Sequence, residues 1–391
     1  AGVLRYPYAH NATAMGHSAL FTGAVPHDSG IVANGKLLEN GSYTSYLQDP
    51  ATRVVGGAGP ADRPSSSLAS LEVPTVADAL LADHHDAIVI ALSMKDRGAV
   101  FGGGRTPSAV LWFDAKSDAF VTSTAFAERT PTWADAFTGV GAGGRWRDKV
   151  WWPLDPRWLE AQSLPAGDLG QGDFHKLGRT FPHDAERGEP APRAFVATPF
   201  ADSMLLGLAA AASGQVATER RPALLTVSLS ATDYIGHVFG PDAPEAWDQM
   251  LRLDRELARF LDHLDRTFGP EGYAVVLSSD HGVPPTPEVM KARYCGVSTP
   301  DPYERHCKAM PVRLFESQLA RVAEAAADRA AGEGTWVLGG NEPYVELTPA
   351  ARGLPDAARA ALLDAVLRAL DDLPGVQAAY AVERLPAVCP D

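Results

Sequence analysis

The sequence predicts an α/β fold with a mostly parallel central sheet flanked by helices, and three patterns predict it. First, helix-like and strand-like segments alternate. Residues 75–85 (TVADALLADHH) read as helix and 87–93 (AIVIALS) as strand; 201–213 read as helix and 223–230 (ALLTVSLS) as strand. Helix then strand, repeated, is how a parallel sheet is wound. Second, residues 243–268 form an amphipathic helix, with Leu251, Leu257, Phe260, Leu261 and Leu264 at helical spacing, and the strand-like 273–279 (YAVVLSS) follows it. Third, two of these strands run into acid–imidazole pairs: Asp233 with His237 after 223–230, and Asp280 with His281 after 273–279. An α/β sheet presents its ligand-binding groups at the carboxyl ends of its strands.

The remaining elements follow in chain order. Residues 1–35 hold a possible turn into a helix, then Gly, Pro and Asp turn signals from Val25 to Gly35. Residues 98–195 are rich in Gly and Pro and carry six of the eight tryptophans, with strand-like pieces at 109–114 (AVLWFD) and 120–124 (FVTST). They read as a Trp-rich insertion or lid, most of whose aromatics pack a core of their own. Residues 284–310 read as an irregular loop, 312–331 and 355–371 as helices, and 343–347 (PYVEL) as a strand. The expected organisation is a core α/β catalytic domain in two parts, 1–97 and 196–391, with the insertion at 98–195 between them and a loop insertion at 284–310.

Composition narrows the chemistry. The chain has 391 residues, 46% hydrophobic and 21% charged, enough for a sizeable core and too apolar for a disordered chain. A net charge of −14 and the lack of a basic stripe disfavour duplex nucleic acid as a partner. No run of 18 apolar residues occurs, so no membrane span is expected. Of three cysteines, Cys295 and Cys307 are spaced to close a small disulfide or to stay as two free thiols; Cys389 has no evident partner.

Carboxylate and imidazole donors suit zinc, and two such pairs suggest a two-metal site and chemistry on a phosphoryl group. Asp280-His281-Gly282 alone reads as an Asp-capped turn; the second pair changes that reading. Thr13, in HNATAMGHS, is placed at or near a helix N-terminus, where free N–H groups favour an anion. Threonine is also a common cap there. Lys95 and Arg97 follow strand 87–93 two residues apart, so on extended chain both point one way, as a phosphate clamp or as a solvated charge cluster. His10, His17, His84 and His85 read as packed or surface residues, His17 beneath the Thr13 loop.

The set NATAMGH around Thr13, TGAVPHDSGIVAN through Asn34, SMKDRGA, TDYIGH and SSDHG resembles the alkaline phosphatase superfamily. Within it the likeness is to the phosphate-irrepressible, threonine-nucleophile alkaline phosphatases, relatives of the nucleotide pyrophosphatase/phosphodiesterases. TPFADSMLLGLA (198–209) and NEPYVEL (341–347) add to it, and it spans about residues 5–350. The resemblance implies zinc-dependent hydrolysis of phosphate monoesters through a phosphothreonine at Thr13. It implies two zinc ions: one on Asp233 and His237 that activates water and holds the substrate oxygen, and one on Asp280 and His281 that activates Thr13, itself counted among the metal-site residues. It implies Asn34, Lys95 and Arg97 on the phosphate oxygens, small phosphate esters as partners, a monomer or oligomer of undefined order, and a periplasmic or secreted location. Two alternatives stand beside it: a phosphodiesterase or nucleotide pyrophosphatase on the same scaffold, and a catalytically silent relative.

The family pattern adds a third ligand to each zinc: an Asp upstream of the nucleophile, and a His in a Gly/His-rich stretch near the C-terminus. No Asp precedes Thr13 here, and the last histidine is His306. The expectation is a chain cut at both ends and weak or inactive.

Overall fold

Strand Ile88–Ser93 has every side chain buried, and the sheet is built around it. The computed structural model describes residues 5–8, 10–60, 62–165, 170–294, 312–341 and 344–385. They divide into two compact units, Ala1–Asn34 with Tyr46–Thr286 and Gly35–Ser45 with Pro287–Asp391. In chain order the main elements of the first unit are α1 (Thr13–Thr22), β1 (Gln48–Val55), β2 (Pro64–Ser66), α2 (Val76–Asp83), β3 (Ile88–Ser93) and α3 (Asp96–Gly103). They continue as β4 (Ala109–Asp114), β5 (Ala119–Ser123), α4 (Pro199–Glu219), β6 (Ala223–Ser228), α5 (Ala231–Phe239) and α6 (Pro244–Phe268).

The sheet order is β6-β3-β4-β5-β1-β2. β6, β3 and β4 run parallel, and β5, β1 and β2 extend the sheet antiparallel. The class is α/β as expected, with a mixed sheet whose parallel part carries the site. Ser93 pairs with Ser228, so β3 and β6 end side by side and deliver Lys95 and Asp233 to one edge. Packed against the sheet are α1 and α3, with Ala14, Ala99, Val100 and Phe101 in one core with Ala91, Val110 and Trp112. The helix α4 packs on α6, β3 and β6. By length and composition α4 is also apolar enough to cross a membrane, but much of it, Asp202 included, is buried inside the unit.

Three expectations are corrected. Residues 273–279 form no strand. Val275, Val276 and Leu277 are exposed, Val276 to 93%. Apolar alternation supplies one half of a ladder; β6 is the terminal strand, and this segment does not pair with it. Residues 98–195 are not a separate insertion throughout. Their β4 and β5 are interior strands of the main sheet, with Trp112 in its core, and only the stretch after β5 leaves the sheet, as short helical turns and a small ladder, Val150–Trp151 with His183–Asp184, within the same compact unit. The strands are buried because β-branched and aromatic residues fill both faces. The range 196–391 is likewise not one piece of the core, because Pro287–Asp391 belongs to the second unit.

In that second unit, α7 (Glu316–Ala331) packs through Ala323, Ala326 and Ala327 on α8 (Asp356–Asp371) through Leu362, Val366 and Leu370. Between them lies the hairpin β7 (Val337–Asn341) and β8 (Tyr344–Leu347). A second hairpin, Gly35–Leu37 with Tyr43–Ser45, joins it through Asn341 Nδ2, which donates to the Gly35 carbonyl at 2.7 Å. The expected loop 284–310 opens with a helix, Pro287–Tyr294. Cys295, Cys307 and Cys389 lie outside the described residues.

Candidate functional site

Thr13 is the first helical residue of α1 and is 5% exposed. No side chain of the preceding Ala12 caps the helix. The cap comes from a distance: Asn34 Oδ1 accepts from the Ala14 N–H at 3.0 Å. Thr13 and Asn34, 21 positions apart in sequence, are thereby brought to one helix end.

The same turn of α1 holds the Asp280 loop. Asn11 Nδ2 donates to the Asp280 carbonyl at 2.9 Å, and Tyr6 Oη donates to the Ser279 carbonyl at 3.0 Å. A Cβ on Gly16 would collide with the Asp280 carbonyl, so this close approach requires glycine. His17 Nδ1 lies 3.2 Å from Asp280 Oδ2. Burial alone would push the Asp280 carboxyl up; the His17 hydrogen bond and the His281 imidazole hold it below its usual range.

Asp233 sits in the first turn of α5. Lys95, the residue before α3, pairs its ammonium with Asp233 Oδ2 and lies 4.5 Å from the centre of the Tyr234 ring. Burial pushes the Lys95 amine down, Asp233 opposes that, and the nearby Arg97 adds to it. Against its own burial, Asp233 is held well below the usual carboxylate range by His237 and Lys95. Arg97 has a buried Nε with no hydrogen-bond partner among the described residues, while Nη1 lies 3.5 Å from Asp96 Oδ1. A planar guanidinium with an unused buried N–H suits an anion with several acceptor oxygens.

The donor set fits a divalent cation. Asp233 Oδ1 is buried, and His237 Nε2 and His281 Nε2 approach it at 3.4 and 3.6 Å. His281 Nε2 also lies 3.4 Å from Asp280 Oδ2. His281 Nδ1 faces the Gly282 carbonyl at 3.1 Å and so carries the proton in the neutral ring, which leaves the Nε2 lone pair aimed between two carboxylates. That arrangement is stable with positive charge between them. Among the described residues no three such side chains close into a ready-made metal group.

The structure thus links Thr13, through its carbonyl and His17, to Asp280, His281, Asp233 and Lys95, with His237 and Arg97 alongside and Asn34 on the Thr13 helix. Sequence reading missed several supporting residues. Tyr234 bears Lys95, and Asp202 on α4 accepts from the Ala231 N–H at 3.1 Å and from Gln249 Nε2 at 3.0 Å, securing the start of α5. Their signal was their position inside TDYIGH and TPFADSMLLGLA. His17, read as merely packed, is 7% exposed and hydrogen-bonded at both ring nitrogens. His84 and His85 are surface residues, as expected.

Known proteins share this architecture. The chain is 32% identical over 297 residues to alkaline phosphatase PhoV of Synechococcus elongatus, covering 74% of this chain and 54% of that protein. It is 33% identical over 281 residues to alkaline phosphatase PafA of Elizabethkingia meningoseptica, covering 70% and 52%. It therefore spans about half the length of these relatives. The crystal structure of wild-type PafA superposes with a TM-score of 0.80 at 27% identity, covering 97% of this chain and 72% of that one. A family model described as type I phosphodiesterase / nucleotide pyrophosphatase matches residues 5–370. With the fold in agreement and the family model matching nearly the whole of this chain, the chain belongs to the type I phosphodiesterase / nucleotide pyrophosphatase family, within the alkaline phosphatase superfamily.

Proposed function

We propose that this chain carries the catalytic machinery for hydrolysing phosphate monoesters through a phosphothreonine at Thr13. One observation carries the proposal: four metal-type donors, Asp280, His281, Asp233 and His237, lie in one chain of contacts that reaches Lys95 on one side and, through His17, the backbone of Thr13 on the other. In the first step the Thr13 Oγ1–P bond forms, the ester O–P bond breaks and the alcohol leaves with a proton. Water then forms the second P–O bond, the Thr13 Oγ1–P bond breaks, and inorganic phosphate departs. Zinc held by Asp233 and His237 and by Asp280 and His281 would lower the pKa of the attacking hydroxyl and neutralise charge on the leaving oxygen. Thr13 lies at the end of α1, where the helix dipole favours the developing negative charge. Asn34, Lys95 and Arg97 hold the non-bridging oxygens.

The preference for a monoester follows from charge. A monoester carries nearly one more negative charge than a diester, on an oxygen that needs a cation or strong donor. Lys95 and Arg97 supply two cations where a diesterase needs an apolar wall. The test compares p-nitrophenyl phosphate with bis(p-nitrophenyl) phosphate on the zinc-loaded chain. Faster hydrolysis of the monoester is expected; a diester preference would give the site to the phosphodiesterase reading.

A further inference from the structure

Resting on that proposed function, we infer that His17 is a positioning residue: its imidazole fixes the Asp280 carboxylate against the nucleophile turn. Segment 273–279 makes no ladder, so sheet pairing does not hold Asp280 in place. Asn11 and Tyr6 hold backbone carbonyls, those of Asp280 and Ser279, and Gly16 approaches the Asp280 carbonyl. His17 alone among these reaches the carboxylate, with Nδ1 3.2 Å from Oδ2. The same Nδ1 lies 2.9 Å from the Thr13 carbonyl, and Nε2 lies 2.8 Å from Ser228 Oγ at the end of β6. One buried ring therefore joins the nucleophile turn, the Asp280 loop and the sheet edge.

The chemistry sets the direction of these bonds. The Thr13 carbonyl and the Asp280 carboxylate only accept, so Nδ1 carries a proton whatever the charge of the ring. Ser228 Oγ can donate or accept and matches Nε2 in either state. Protonated Nδ1 faces the Thr13 carbonyl at 2.9 Å and Asp280 Oδ2 at 3.2 Å, and Oδ2 is the oxygen that also faces His281 Nε2 at 3.4 Å, so the ring fixes how the carboxylate is turned toward the other donors. Partners of this kind behind a metal-binding carboxylate typically change metal affinity or activity by ~10–100-fold.

The experiment uses the full chain and three proteins. In His17→Asn an amide N–H occupies the place of Nδ1 and contact with Ser228 is lost. In His17→Gln an amide reaches Ser228 and the Nδ1 donor is lost. Zinc affinity is measured by competition with a chromophoric chelator, beside thermal stability and p-nitrophenyl phosphate turnover, and the ring proton of the wild type is located by ¹⁵N-histidine NMR. The inference expects a proton on Nδ1, a loss of about 10–100-fold in zinc affinity for His17→Gln, and a loss within about threefold for His17→Asn, at similar melting temperatures. Equal zinc affinities in the two variants would reduce His17 to packing and overturn it, as would a ring protonated at Nε2 only. A wild type that binds no zinc and cleaves neither ester overturns the proposed function together with the role given to His17. In that case the NMR result still shows whether the hydrogen-bond assignment was right.

Discussion

Lys95 donates its ammonium to the carboxylate of Asp233, across the boundary between the two parallel strands β3 and β6. Lys95 is buried and lies against the Tyr234 ring, and Asp233 is largely covered, so the pair is screened less than a surface ion pair would be. It places a fixed positive charge beside the metal-type donors, where a dianionic ester would need it.

Lys95→Ala and Arg97→Ala are therefore expected to lower kcat/KM for p-nitrophenyl phosphate by ~10²–10³ each, as for loss of a donor to a charged transition state. The diester rate should fall much less. Steady-state kinetics on both esters measure the ratio, and equal losses on both would remove the charge argument for a monoester.

Asp202 gives a pH dependence of stability. It is fully buried, and burial pushes its carboxyl up to about 7 despite hydrogen bonds from Ala231 and Gln249. Between the unfolded value near 3.8 and about 7, the folded chain holds a proton that the unfolded chain lacks. Stability from this group is therefore full at low pH and is lost as pH rises through that window. Asp202→Asn keeps an acceptor for the Ala231 N–H and cannot ionise. Its stability relative to wild type should rise from pH 5 to pH 8, by about 1–4 kcal/mol, since one pKa unit is worth ~1.36 kcal/mol. Urea unfolding at the two pH values measures this, and a flat difference would mean that the site is better hydrated than the structure shows.

The exposed segment contrasts with the buried interior strand β3. Val276→Lys should change stability by less than about 0.5 kcal/mol, because the side chain is almost wholly in water. Ile90→Ala, in the buried β3, should cost about 2–5 kcal/mol. A large loss for Val276→Lys would return 273–279 to the folded core.

The helices of this chain were largely legible because amphipathic spacing and caps are local. Thr75 and Asp78 form a capping box at the start of α2, and α6 runs Pro244–Phe268, close to the 243–268 read from its Leu and Phe spacing. The strand 273–279 was misread because a strand is a relation between two segments, and an apolar run announces only one of them. β4 and β5 were assigned to an insertion because Gly, Pro and Trp around them resemble loop chemistry, while their burial depends on neighbours 50 or more residues away in sequence, such as Val54 paired with Ser123. In the site, residues with obvious chemistry stood out: Thr13, Asn34, Lys95, Arg97, Asp233, His237, Asp280 and His281. His17, Tyr234, Asp202 and Gln249 did not, because their work is done through hydrogen bonds and packing that only the fold creates.

The central claim is a covalent step at one hydroxyl. The zinc-loaded chain is mixed with p-nitrophenyl phosphate, quenched in acid within the first turnovers and digested, and the peptides are mapped by mass spectrometry. A phosphoryl group on Thr13, absent from Thr13→Ala, is the predicted result. Turnover with no phosphopeptide, or with the phosphoryl group on another residue, would contradict it.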